Sequence, residues 1–528
     1  MVRGVEIPID RNASATQMAQ TIFGDGVTIV DASYTGDRDS SGIYTSGDTI
    51  SPGVTPSDTG VMFSTGDLRG FTNSTPWWST NSNQSSSTST SSDGPDNQAD
   101  FNAGAGTNTF DASFLDVDFI PTGDVMTMQF VFASEEFPEF ATGAYQDFVG
   151  VWINGTQVEL GVGDGDIDPN NLNAGSNANL FVDNTNDQFN TEMDGFTVTM
   201  TLTIPVVSGD LNSIRIGIAD VTDSQYDSTL LVAADSVQTT LVANDDSSKL
   251  FPTGSKTLDV LANDANSTGG SLTITAINGQ AVSAGSTVTL NTGQQVTLNA
   301  DGTITVVGDG DEETVNFTYE ATSGTGVSDT GFVTLDSIPC FTRGTHIETD
   351  VGPVAVEHLQ PGMRIRTRDD DIQPLRWIGS RRVTGEGKFA PIRIRAGTFG
   401  DHGDLCLSPL HRVLIDDPLA ELFFGEAEVL VAARDLVDGR RIRHEPCETV
   451  EYFHLLFDTH QIVFSEGLAT ESFLPGPQIN NSFEAGIVAE ICALFPEIDP
   501  RTGHGYSPAA RTMLKRHEAR LLSLQWVA

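Results

Sequence analysis

Between Val125 and Ala133, Met126, Met128, Phe130 and Phe132 alternate with Val125, Thr127, Gln129 and Val131. A two-residue period lays one set of side chains on each face of an extended strand, whereas a helix would scatter both sets around its axis. Asp118–Ile120, Phe148–Ile153, Phe196–Ile204 and Ser213–Asp220 are written in the same style, with Gly, Asn and Asp filling the gaps. Residues 1–241 therefore read as a β-sandwich-type domain, with Ser14–Ile22 as its one helix. Residues 79–99, almost all Ser, Thr, Asn, Asp and Gly, offer no apolar area to bury and read as a mobile surface loop.

The pattern shortens further along. Strands are expected at Lys256–Val260, Ser271–Ile277, Thr287–Leu290, Gln295–Leu298, Thr303–Val306, Thr314–Glu320 and Gly331–Leu335, a spacing that suits a small sandwich over 242–337. Short strands then fill 340–473, from Thr345–Glu348 to Gln461–Phe464. The last stretch, 476–528, reads as a short helical tail. Phe483–Phe495 sets Ile487, Ile491 and Leu494 on one stripe, and Ser507-Pro508 offers a helix start before Met513, Leu514, His517, Leu521 and Leu522. The fold class is mainly β, and 528 residues leave room for three or four domains.

Charge divides the chain more sharply than pattern does. Residues 1–339 hold 45 acidic and seven basic side chains, while all nine histidines and all four cysteines follow residue 339. Groups that titrate near neutrality or attack as nucleophiles are confined to one end, so acid–base or covalent chemistry belongs there. A net charge of −45 repels phosphate backbones, which argues against nucleic acid as a partner. No apolar run approaches the roughly 20 residues of a membrane helix. Met1–Asp10 lacks the apolar stretch of a secretory signal peptide, so an extracellular or cell-surface location implies another export route.

Three sets of residues resemble known families. Phe130-Val-Phe-Ala-Ser-Glu-Glu-Phe-Pro-Glu-Phe140, Tyr145-Gln-Asp-Phe-Val-Gly150, Ile218-Ala-Asp-Val-Thr-Asp223 and Tyr226-Asp-Ser228 resemble the choice-of-anchor L domain of bacterial surface proteins. Leu258-Asp-Val-Leu-Ala-Asn-Asp264 and Val296-Thr-Leu-Asn-Ala-Asp-Gly302 resemble bacterial cadherin-like, immunoglobulin-type repeats. Ile338-Pro-Cys-Phe-Thr-Arg-Gly-Thr345, Val356-Glu-His-Leu359, Leu375-Arg-Trp-Ile-Gly379, Leu407-Ser-Pro-Leu-His-Arg-Val-Leu-Ile415 and Tyr452-Phe-His-Leu-Leu-Phe-Asp-Thr-His460 resemble, over 338–475, the Hint (hedgehog/intein) domain. This last resemblance implies an all-β horseshoe that brings its first residue against an internal histidine.

The chemistry it implies is an N-to-S acyl shift at Pro339–Cys340. A thiol one residue past a carbonyl attacks it through a five-membered ring, provided the oxyanion is stabilised and the departing nitrogen is protonated. In family register Cys340 is the nucleophile, His411 the acid to the nitrogen and Ser408, where threonine is usual, the orienter of the scissile carbonyl. His454 is a candidate second base, Phe453 standing where many inteins carry aspartate, and His460 holds the histidine position of the last element. Glu471-Ser472 replaces the terminal His-Asn of inteins. Serine has no side-chain amide to cyclise, so one-sided cleavage is expected rather than splicing, with water or an external nucleophile as acyl acceptor. The other reading is a non-enzymatic, adhesin-like surface protein with an inactive Hint scaffold, its partner a cell-surface component. Cys406 and Cys447 have no metal-type spacing, and spacing alone does not decide whether they pair.

Glu135, Glu136, Asp147, Asp220, Asp223 and Asp227 fall inside the best-matching runs of the first domain, and Asp164, Asp166 and Asp168 alternate in a Gly-rich loop. Hard oxygens on loops suit Ca²⁺. An acidic surface that keeps an exported protein soluble fits the same residues, and the lack of an EF-hand or nonapeptide array favours that plainer reading. No other cofactor is called for.

Overall fold

The computed structural model describes the chain apart from residues 1, 76–80, 142–144, 164, 251–253, 310–313, 337–339, 386–389, 475–494, 496–505, 515–518 and 520–528. It is mainly β, and it divides into two compact units.

In the first unit, Val27–Thr35, Thr109–Pro121, Asn212–Val221, Phe148–Ile153 and Thr156–Gln157 form one antiparallel sheet. A second sheet runs Ile9–Asp10, Ser41–Thr45, Thr59–Ser64, Ser228–Ala233, Val125–Ser134, Gly195–Thr197, Phe181–Asp183. Met126, Met128, Phe130 and Phe132 point from the second sheet into a core shared with Leu115, Val117, Phe119 and Ile216 of the first, which makes a sandwich. The other face of Val125–Ser134 is covered as well, because Val131 and Ala133 pack with Tyr44, Phe71 and Phe196. Phe196–Ile204 is two strands, Gly195–Thr197 and Met200–Pro205, both paired to Val125–Ser134. The expected helix runs Ala15–Ile22 and starts with a reciprocal Ser14–Gln17 capping box.

The loop expected to be mobile is pinned. Ser82 donates to the Phe189 carbonyl, Gln84 N to Glu192, and Thr90 N and Oγ1 both to Asp227. The reason is polar rather than apolar. Buried carboxylates need donors, and a Ser/Thr/Asn-rich segment supplies them.

The middle region contributes Leu272–Ile277 paired with Val315–Ser323, and Thr287–Thr289 paired with Gln295–Leu298. The fully buried Tyr319 hydroxyl lies 2.8 Å from Asp264, 2.9 Å from the Val260 carbonyl and 3.1 Å from that of Asn244. Those contacts explain the Leu258–Asp264 motif as a structural knot.

The second unit builds a six-stranded sheet in the order Trp377–Gly385, Cys447–Leu456, Phe341–Thr342, Leu405–Leu407, Ile392–Ile394, Ile442–His444. Its larger sheet includes His346–Thr349, Ile462–Ser465, Leu468–Glu471, Arg412–Asp416 and Glu428–Ala432. One core, with Phe341, Ile347, Leu407, Val413, Val431 and Leu455, serves both. Sequence reading missed the helix Pro418–Phe424, although Asp417 caps it, Pro418 opens it and left-handed Gly425 ends it. Ser507 does not start a helix. Its hydroxyl accepts from His460 N, and Thr512–Met513 is a strand parallel to Val429–Leu430. Phe483–Ile491, Leu494, His517, Leu521 and Leu522 lie outside the described residues.

Candidate active site

Strand register builds this site. Phe341 pairs with Leu407 on one side and Phe453 on the other. In antiparallel ladders the preceding residue, Cys340, then faces Ser408 and His454. Side-chain geometry agrees. Cys340 Sγ is 3.5 Å from His454 Nε2, Cys340 N donates to Ser408 Oγ at 2.9 Å, and Ser408 N donates back to the Cys340 carbonyl at 3.1 Å. Cys340, Ser408 and His454 are all buried. The serine hydroxyl therefore holds the nitrogen of the Pro339–Cys340 bond, while Pro339 itself lies outside the described residues.

A second register brings in the other end of the domain. Val413 pairs with Thr470, so Arg412 faces Glu471 and His411 faces Ser472. His411 is 1% exposed, its ring lies 4.3 Å from that of Phe341, and among the described residues neither ring nitrogen makes a well-formed hydrogen bond, although main-chain groups of Cys340 and Glu471 lie close enough to favour its charged form. Burial pulls its pKa down to about 4, against the opposing pull of Glu471. The Glu471 carboxylate is fully buried and accepts from Arg412 N at 2.9 Å and from the Arg412 guanidinium at 3.3 Å. Burial pushes this acid up, but Arg412, His460 and His411 together bring it down to about 2. It is an anion at neutral pH, inside the protein, beside an imidazole.

His460 is a different kind of residue. Its Nδ1 accepts from Ala510 N, which places the ring proton on Nε2, 3.1 Å from the Ser472 carbonyl and 3.6 Å from Glu471. It fastens the end of the domain rather than touching Cys340. Sequence reading did not foresee the Arg412–Glu471 pair, and extrapolating the two antiparallel registers would have found it. Replacing Arg412 with methionine removes one of the groups that hold buried Glu471 charged, leaving His460 and the main-chain N–H of residue 412, and should cost about 1.5–3 kcal/mol of unfolding free energy. Urea unfolding with an unchanged m-value checks this.

The acidic residues of the first unit gather only in part. Glu135, Glu136, Asp147, Asp220 and Asp227 are buried, whereas Asp223 is half-buried with its carboxylate on Gln225 N. Asp227 is satisfied by Thr90. Asp147 N donates to Glu136 Oε2 at 2.9 Å, and the pairing of Ala219 with Phe148 sets Asp220 opposite Asp147. Burial raises Glu135 to about 9, and burial with mutual repulsion raises Glu136 and Asp220; burial raises Asp147. Asp164 lies outside the described residues.

Comparison with known families gives three matches in chain order. Residues 8–238 match the choice-of-anchor L domain, residues 237–336 the bacterial Ig domain and residues 339–477 the Hint domain. No curated protein matches the chain. Among solved structures, the M60 catalytic domain with the CBM51-1 and CBM51-2 domains from Clostridium perfringens ZmpB shares 7% identity at a TM-score of 0.13, over 85% of this chain and 43% of that one. Drosophila OTK extracellular domains 3–5 share 12% at 0.14, over 52% and 86%. The chain thus spans less than half the length of the first of these.

Proposed function

We propose that a chain joining choice-of-anchor L, bacterial Ig and Hint domains in that order is a surface or extracellular protein whose last domain cuts its own Pro339–Cys340 bond. The observation that carries this reading is the 3.5 Å approach of Cys340 Sγ to His454 Nε2, with the scissile nitrogen fixed by Ser408. His454 takes the thiol proton. The sulfur attacks the Pro339 carbonyl carbon, the C–N bond breaks, and the Cys340 nitrogen leaves as an amine after gaining a proton from His411. A thioester replaces the amide, and water or an external nucleophile then releases residues 1–339. Burial holds His411 at about 4 even against the pull of Glu471, so the ring is neutral at rest. It must first pick up the proton released through His454 before handing it to the nitrogen, and Glu471 steadies that imidazolium while it lasts.

The test uses the full chain and Cys340→Ala. Hydroxylamine at neutral pH is expected to yield two fragments, divided between residues 339 and 340, from the first protein only. Equal behaviour of the two chains would refute cleavage. One observation favours the adhesin reading with an inert Hint scaffold: Glu471-Ser472 stands where splicing domains need His-Asn, and both residues are locked in structural hydrogen bonds.

A further inference from the structure

A cleft of about 850 Å³ lies within the first unit, with one wall from the sandwich and the other from the middle region. Its volume falls in the range of small-molecule sites, roughly 300–1,000 Å³. Side-chain amides fasten the two walls together. Thr292 N donates to Asn179 Oδ1 at 2.9 Å, Asn278 Nδ2 to the Asn179 carbonyl at 2.7 Å, and Asn291 Nδ2 to the Ala178 and Phe181 carbonyls at 2.9 and 3.1 Å. The cleft is therefore preformed, and a ligand entering it has little of the protein left to order.

Its lining holds no Lys, Arg or His, and it carries the carboxylates of Asp48, Asp183 and Glu320. A phosphate, sulfate or uronate would meet like charge there with nothing to neutralise it. Among the described residues no three acidic side chains gather as metal ligands. What the walls offer is paired donors and acceptors, the carboxamides of Gln188, Asn278, Gln280 and Asn291. Asn278 is 9% exposed and Thr55 is 7% exposed, and among the described residues neither Asn278 Oδ1 nor Thr55 Oγ1 has a hydrogen-bond partner. Unmet buried polar atoms are costly, and the hydroxyls of a ligand can answer both. Beside them the half-buried ring of Phe189 is held edge-on by Phe196, with centroids 5.1 Å apart. Gly53, left-handed at φ 78°, keeps that ring uncovered, since a β-carbon there would lie 3.6 Å from it. A ligand with many hydroxyls, apolar ring faces and no charge matches all of these groups at once. We infer that the cleft binds a neutral oligosaccharide, whose hydroxyls meet Thr55, Gln188, Asn278 and Gln280 and whose apolar ring face lies on Phe189. Such binding does not depend on whether the Pro339–Cys340 bond is cut.

Native gels containing laminarin, galactomannan or dextran test the site with the full chain, beside a gel containing alginate. Retardation by at least one neutral polysaccharide is expected, with none by alginate. The retarding polysaccharide should also raise the melting temperature, because it binds the folded chain. Gln280→Ala, at an exposed position, and Asn278→Leu are each expected to weaken binding about tenfold, as the loss of one well-made hydrogen bond does. Leu211→Ala, exposed and outside the cleft, serves as the control and retains wild-type affinity. Far-UV circular dichroism confirms that each variant is folded, and if Asn278→Leu is not, Gln280→Ala decides alone. No retardation in any of the three neutral gels would overturn the proposal. So would equal retardation in alginate, or a Gln280→Ala chain that binds as the wild type does.

Discussion

Replacing His454 with glutamine is expected to slow hydroxylamine-driven cleavage by about 10²–10⁴-fold, the usual contribution of a positioned acid or base. Its Nε2 lies 3.5 Å from Cys340 Sγ, and glutamine keeps the bulk but not the basicity. His411→Gln should lose a similar factor, at the nitrogen rather than the sulfur. On the proposed mechanism both histidines serve one bond, so the double variant should be little slower than the worse single one. Fragment yield against time by mass spectrometry decides. If His454→Gln cleaves at the wild-type rate, the contact with sulfur is packing, and the thiol loses its proton elsewhere.

The second large effect concerns pH. Glu135 titrates near 9 when folded, and burial also raises Glu136, Asp147 and Asp220 above their ordinary range. In the unfolded chain these acids ionise near pH 4. Between those limits the folded state holds protons the unfolded state has released, so stability falls as pH rises, by about 1.4 kcal/mol per pH unit for each such proton. Calorimetric melts of chelated protein should show the first unit's transition dropping steeply from pH 5 to pH 9. The Hint domain should move the other way in acid. Its His411 is depressed to about 4, so the unfolded state gains a proton first as pH falls below about 6.5. Glu471 adds to that loss as pH falls from about 4.5 towards 2. Two transitions that shift in parallel would contradict both sets of buried groups.

Alternation and turn residues made most strands legible. Phe148–Ile153 and Gln295–Leu298 sit where the pattern puts them. What escaped was long-range. Val27–Thr35 escaped because its alternation slips at a bulge: Val27, Ile29, Ala32 and Tyr34 are half-buried, Val30 and Asp31 are both exposed, and the strand pairs with Thr109–Pro121. The Ser-rich segment looked unanchored because its anchors, Asp227 and Glu192, are more than 100 residues away. At the Hint site the family motif named Cys340, Ser408, His411 and His454. It did not say that sulfur meets 454 while the amide meets 408, which is a matter of register.

That register carries a consequence for timing. Phe341 is held between two strands and Cys340 is clamped through its nitrogen and carbonyl to Ser408. A freed amine in that clamp stays within reach of its own acyl group, at an effective concentration far above any solute's. Under the proposed cleavage, re-closure to the more stable amide would compete with loss to bulk water. On the cleavage proposed above, such a module would act as a latch, and the arrival of water or another acceptor at the acyl group, rather than the first bond exchange, would set when the front of the protein departs.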